Sequence, residues 1–148
     1  MNLLDTANIE WIEYRGREGD RYPVGYSGAA LSIRDDGHLD LLYRWEPNSY
    51  CHFHTHLCDT TSVVLSGELH VVDLNAESEG ATIRRAGHFA HKGPGDRHRE
   101  HGGPEGALVL FHLYAPDGRV TEFLSEDGEF IKEITIDDVK AGLFAQQK

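Results

Sequence analysis

Residues 51–67 read CHFHTHLCDTTSVVLSG, from Cys51 to Gly67. His52, His54 and His56 stand at alternate positions, and a strand-like apolar run follows that ends at a glycine. Successive residues of an extended chain point to opposite faces, so on a strand the three imidazoles share one side. At about 3.3 Å rise per residue, adjacent rings of the set start roughly 6.6 Å apart and the outer two roughly 13 Å apart. Metal–nitrogen bonds of about 2.0–2.1 Å therefore suit one HxH pair. The remaining ring then sits at the rim or supports a ligand.

Outward from this stretch the chain alternates strand and turn signals. AALSIR (29–34), the turn at Asp35, Asp36 and Gly37, and HLDLLYRWE predict a hairpin, with Leu39, Leu41, Tyr43 and Trp45 on one face and His38, Asp40, Leu42 and Arg44 on the other. After a Pro47-Asn48 turn and the histidine segment, TSVVLS, Ser66-Gly67 and ELHVVDL predict a second antiparallel pair, followed by the loop NAESEG and ATIRRAG. ALVLFHLYA (107–115) is apolar on both faces, as expected of a strand buried between layers, with His112 its polar exception. Asp117-Gly118 and Asp127-Gly128 turns flank VTEFLS and lead into EFIKEITI. Ile136, Val139, Leu143 and Phe144 then fall at helical spacing behind two first-turn aspartates, which predicts a short closing helix. Many short strands without βαβ alternation predict an all-β antiparallel sandwich or barrel.

A chain of 148 residues suffices for one domain with a real core and is short for two. The 14 basic and 25 acidic side chains leave a formal charge of −11, the wrong sign for a phosphate backbone or an anionic bilayer. No nucleic acid and no membrane partner is expected. The start, MNLLDTANIEW, has no basic segment followed by an apolar core, and the simplest location is cytoplasmic. Cys51 and Cys58 lack CxxC spacing and suggest buried free thiols rather than a disulfide framework, with a ligand role left open.

Seven of the ten histidines fall in two windows, the second holding His88, His91, His98 and His101. In GHFAHKGPGDRH, Gly87 lies eleven residues and Gly95 three residues before His98. Together the two windows resemble the paired signature of the cupin superfamily: HxH before a glycine-ended strand, then a glycine, a turn and a histidine. The resemblance implies one domain over 1–148, a jelly-roll (cupin) barrel with a short C-terminal helix, metal motifs within 52–67 and 87–98, and commonly a homodimer. Carried over by position, it makes His54, His56 and His98 the metal ligands. The family's usual carboxylate ligand falls on Thr60, and the proline of its second motif on Gly93, with Pro94 one place later.

Loss of that carboxylate points to a three-histidine site. In this the chain resembles small cupins of the acetylacetone and dihydroxyacetophenone dioxygenase kind, although many of those carry a glutamate where this chain has Lys92. The resemblance implies a divalent metal, Fe(II) first, with Zn, Ni or Mn as alternatives. It also implies O2-dependent cleavage of a C–C bond in a small diketone or hydroxyketone. Three imidazoles would leave the ion's charge uncompensated, which suits an anionic two-oxygen substrate. Barrel-facing candidates for steering substrate or moving a proton are His112, Tyr43, Tyr114 and His91, while Glu68, Asp59 and Glu100 are candidates to accept a ligand's ring N–H. A non-redox isomerase, lyase or hydrolase, and a non-catalytic small-molecule-binding barrel, remain as alternatives.

Overall fold

The computed structural model describes residues 1–74 and 80–142. Ten antiparallel strands carry nearly all of its regular structure: β1 (Ile12–Arg15), β2 (Gly25–Ile33), β3 (His38–Trp45), β4 (Phe53–His56), β5 (Asp59–Asp73), β6 (Ala81–Arg85), β7 (Phe89–Lys92), β8 (Asp96–Tyr114), β9 (Arg119–Leu124) and β10 (Phe130–Thr135). One path of paired strands runs β1-β2-β3-β8-β4-β9-β10, and β5 joins β8 to β6 and β7. The result is a curled antiparallel sheet, as the strand pattern predicts, in the jelly-roll form that the resemblance implies. No helix among the described residues is long and apolar enough to cross a membrane.

The two longest strands shape the barrel. The first part of β8 pairs with β4 and its last part with β3, while β5 accompanies it over almost its whole length. A 19-residue strand can serve two walls only if it bends. Its register with β5 breaks between Val64 and Ser66 and between Gly67 and Leu69. Ser66-Gly67 is therefore a bulge inside one continuous strand and not the turn between two strands that the dipeptide suggests. Both features need a residue with positive φ, and Gly67 supplies it at 71°. On the facing strand Gly106 also has positive φ, and a Cβ on Gly67 would lie only 2.2 Å from the Gly106 carbonyl oxygen.

Inside the curl, Leu39, Leu41, Leu69, Val109, Phe111 and Leu113 are almost fully buried. Trp45 joins them, whereas Trp11 lies under the Arg44 guanidinium at 4.4 Å. Cys51 and Cys58 are buried free thiols, as expected. The closing helix α1 (Ile136–Lys140) begins at a capping box: Asp138 N–H donates to the Thr135 side chain and Thr135 N–H to the Asp138 carboxylate. Its buried residue Val139 seals one end of the core. Leu143 and Phe144, which the helical spacing included, lie outside the described residues, as does 75–79 of the NAESEG loop.

Gly67→Ala must force a side chain into left-handed backbone and against the Gly106 carbonyl. It should destabilise the protein by at least about 1 kcal/mol in urea unfolding. Gly80→Ala, where an added Cβ meets open space, should change stability by less than about 0.5 kcal/mol.

Candidate metal centre

Strands β4 and β8 run antiparallel with His54 directly opposite His98 and His56 opposite Asp96. Alternation then brings His54 and His56 on one strand, and Asp96, His98 and Glu100 on the other, to the interior face. His54, His56, His98 and Glu100 are all buried, and one ligand atom from each lies within 4.8 Å of the others. The three expected histidines thus meet, and Glu100 joins them. The carboxylate missing at Thr60 is supplied from the other strand, so the group is three histidines and a glutamate rather than three histidines alone.

The separations fit one shared ion. The Nε2 atoms of His54 and His98 are 2.9 Å apart, and those of His54 and His56 are 3.2 Å apart. Glu100 Oε1 lies 2.9 Å from His98 Nε2 and 3.2 Å from His54 Nε2. Bonds of about 2.0–2.1 Å separate neighbouring ligand atoms by about 2.9 Å in an octahedron and about 3.3 Å in a tetrahedron. The remaining ring nitrogens agree with that geometry. His54 Nδ1 donates to the His52 carbonyl at 2.8 Å and His98 Nδ1 to Asp96 at 3.0 Å, which places a proton on each Nδ1 and leaves each neutral Nε2 with a lone pair toward the cluster. Converging lone pairs and a carboxylate require positive charge between them.

In the metal-free protein, protons provide it. Burial opposes charge on His54 and His98; for His98, buried Glu100 and Asp96 outweigh it and lift the ring to about 9, and His54 is raised as well, by Cys51 and by Glu100. Cys51, whose thiol burial pushes up, is neutral at pH 7 and cannot stand in for Glu100. Burial likewise opposes the Glu100 charge, yet His98 and His54 hold its carboxyl well below the usual range. His56, desolvated and beside two cationic rings, is held well below its ordinary value and stays neutral.

Beside the cluster is a cavity of about 40 Å³, bordered by His54, His56 and Glu100 and otherwise mostly apolar, with Tyr43, Trp45, Phe111 and Phe123 in its wall. Of the four residues expected to face substrate, only Tyr43 lines this cavity. His112 lies on the other face of β8, bonded to Asp40 at 2.6 Å and to His38 at 3.1 Å. Tyr114, two residues on, shares that outer face and stacks on His38. His91 is exposed and paired with Asp59 at 2.8 Å. The reason is parity: Val109, Phe111 and Leu113 take the interior positions of this strand.

Other expectations shift too. Glu68 holds His70, and Asp59 holds His91, so neither orients a ligand ring. Asp96, which is not among the sequence candidates, does so for His98. Its signal was present, because DRHRE sets Asp96, His98 and Glu100 at alternate positions as HFHTH sets its histidines. His52 precedes β4, accepts from or donates to the Tyr26 hydroxyl at 2.8 Å and packs on Phe123; burial lowers it to about 4.

No family model and no curated protein matches the chain. Among solved structures, the fold is similar to a proposed acetylacetone dioxygenase from Methylibium petroleiphilum PM1, with TM-score 0.70 and 14% identity, over 95% of this chain and 92% of that one. It is similar to an acetylacetone dioxygenase from Acinetobacter johnsonii, with TM-score 0.66 and 16% identity over 92% and 87%. A cupin-like protein from Thermotoga maritima aligns with TM-score 0.59 and 18% identity over 77% and 90%. The chain has the cupin fold, and within it a histidine and glutamate group able to hold a metal ion.

Because His98 titrates near 9 in the metal-free fold and near about 6.5 when unfolded, its contribution to stability is complete below the lower value and lost as pH rises through the higher. The melting temperature of metal-free protein should therefore fall from pH 6.5 to above 9. Protein supplied with a divalent ion should show the opposite slope, since the ion displaces that proton. Parallel slopes in thermal scans would refute the shared cluster.

Proposed function

We propose that the protein is a mononuclear iron(II) dioxygenase that cleaves a C–C bond in a small diketone or hydroxyketone. One observation carries the reading: three of the four donors, His54, His56 and Glu100, form one side of a small, mostly apolar cavity. Four protein donors would leave a six-coordinate ion two positions for a two-oxygen substrate. Glu100 reduces a divalent ion's charge from +2 to +1, and a singly charged enolate completes neutrality. This charge balance replaces the expectation of an uncompensated ion. The cavity's 40 Å³ corresponds to roughly three waters, which limits substrates to small molecules. The acetylacetone dioxygenases of the same fold support the substrate class.

Iron held by His54, His56, His98 and Glu100 would supply Lewis acidity toward the substrate oxygens and redox chemistry with O2. The chain's own part is placement. Asp96 and the His52 carbonyl fix the ring orientations of His98 and His54. Trp45, Phe111 and Phe123 exclude water from the bound carbon skeleton. Burial raises the Tyr43 and Tyr26 phenols above their ordinary range, so both remain neutral, and Tyr43 offers the cavity a hydroxyl rather than an anion.

A carboxylate in the donor set also suits manganese and zinc, and this favours as second reading a non-redox isomerase, lyase or hydrolase in the same cavity. Metal analysis of untagged protein separates the two. Near-stoichiometric iron, lost in His98→Ala while the fold persists, together with diketone-dependent O2 uptake, is the expected result. Zinc or nickel lost in the same way, without O2 uptake under iron reconstitution, would move the activity to the second reading. Full metal occupancy in His98→Ala would refute the centre.

A further inference from the structure

His56 and Glu100 border a second space besides the apolar cavity. It measures about 10 Å³ and is walled by Thr60, Ser62, Arg84 and Lys92, which is room for one water or one ligand oxygen. We propose that this chamber binds a carboxylate group, with Arg84 as its principal partner; the inference rests on the metal-centre reading only for the origin of the acid.

Three observations carry it. Arg84 reaches inward from β6, opposite the fully buried Leu69, and its Nε is buried without a hydrogen-bond partner. It makes no ion pair among the described residues, and the acids that border the chamber are engaged elsewhere, Asp96 with His98 and Glu100 with His54 and His98. A buried donor without an acceptor is costly, and the planar guanidinium fork matches a carboxylate. His56, which also borders the chamber, likewise has a buried ring nitrogen, Nδ1, without a hydrogen-bond partner.

The third observation joins the two departures noted in the sequence. Thr60 stands where the cupin pattern has a carboxylate and Lys92 where many of the resembling dioxygenases have another, and these residues are direct cross-strand partners in the chamber wall. Lys92 and Arg84, whose Nε has no partner, thus border a chamber whose two acids, Asp96 and Glu100, are both bound to the histidines. The chamber selects an external anion's oxygen, belonging either to a substrate's own acid group or to a small free carboxylic acid.

Zinc-loaded wild type, Arg84→Gln and Arg84→Lys should be titrated calorimetrically with acetate, and the metal content of each sample measured. Acetate should bind wild type, bind Arg84→Gln at least fivefold more weakly, and bind Arg84→Lys with intermediate affinity, at unchanged zinc content. No acetate binding by wild type, or affinity in Arg84→Gln within twofold of wild type, overturns the proposal, the latter because acetate then sits on the ion alone. A diketone bearing a terminal carboxylate distinguishes the sources: a gain in affinity over the uncharged diketone that is lost in Arg84→Gln assigns the acid to substrate. Should wild type hold no zinc, the metal centre fails, and the same acetate comparison on metal-free protein still decides the role of Arg84.

Discussion

A buried carboxylate surrounded by imidazoles is the constraint on which the rest depends. Glu100 is 2% exposed, and an ionised carboxylate at that depth persists only with charge and hydrogen bonds beside it. His54 and His98 meet its Oε1, and either two protons or one divalent ion satisfies the group. Protons leave two cationic rings with their nitrogens 2.9 Å apart, whereas one ion relieves that repulsion and engages all four side chains. That the group could hold a metal ion follows from its electrostatics before any likeness is considered.

The barrel makes this cluster rigid. His54 and His98 are opposed residues of paired strands, so their separation is set by the sheet and not by loop conformation. The bulge at Gly67 lets β5 and β8 bend together, so that β8 can place Asp96, His98 and Glu100 beside β4 and still continue as a core strand through Leu113. Core packing closes the apolar cavity, while Arg84 and Lys92 give the opposite approach to His56 and Glu100 a different chemistry. Two unlike spaces therefore share one cluster.

The three clustered histidines were legible because period two is unambiguous in HFHTH, and because the glycine spacing tied His98 to them. The carboxylate was less so. Glu100 follows His98 by two and must share its face, yet a search for acid at Thr60 looks at the wrong strand. His112 and Tyr114 were misplaced for another reason: in ALVLFHLYA both faces are apolar, with Leu108 and Leu110 as greasy as Val109 and Phe111, so composition carries no parity. Tyr43 was placed correctly because its strand alternates. Ser66-Gly67 carries the signature of positive φ, which a turn and a bulge share, and only the pairing of β5 with β8 on both sides of the dipeptide, with a shifted register, separates them.

The central claim is that one ion is bound by three imidazoles and Glu100. X-ray absorption spectroscopy of the metal-loaded protein addresses it most directly, with Glu100→Gln measured alongside. The account predicts about three imidazole rings by their outer-shell scattering, together with an oxygen ligand at about 2.0–2.2 Å that weakens or lengthens in Glu100→Gln. A spectrum with fewer than two imidazoles, or one identical in the two proteins, would contradict it.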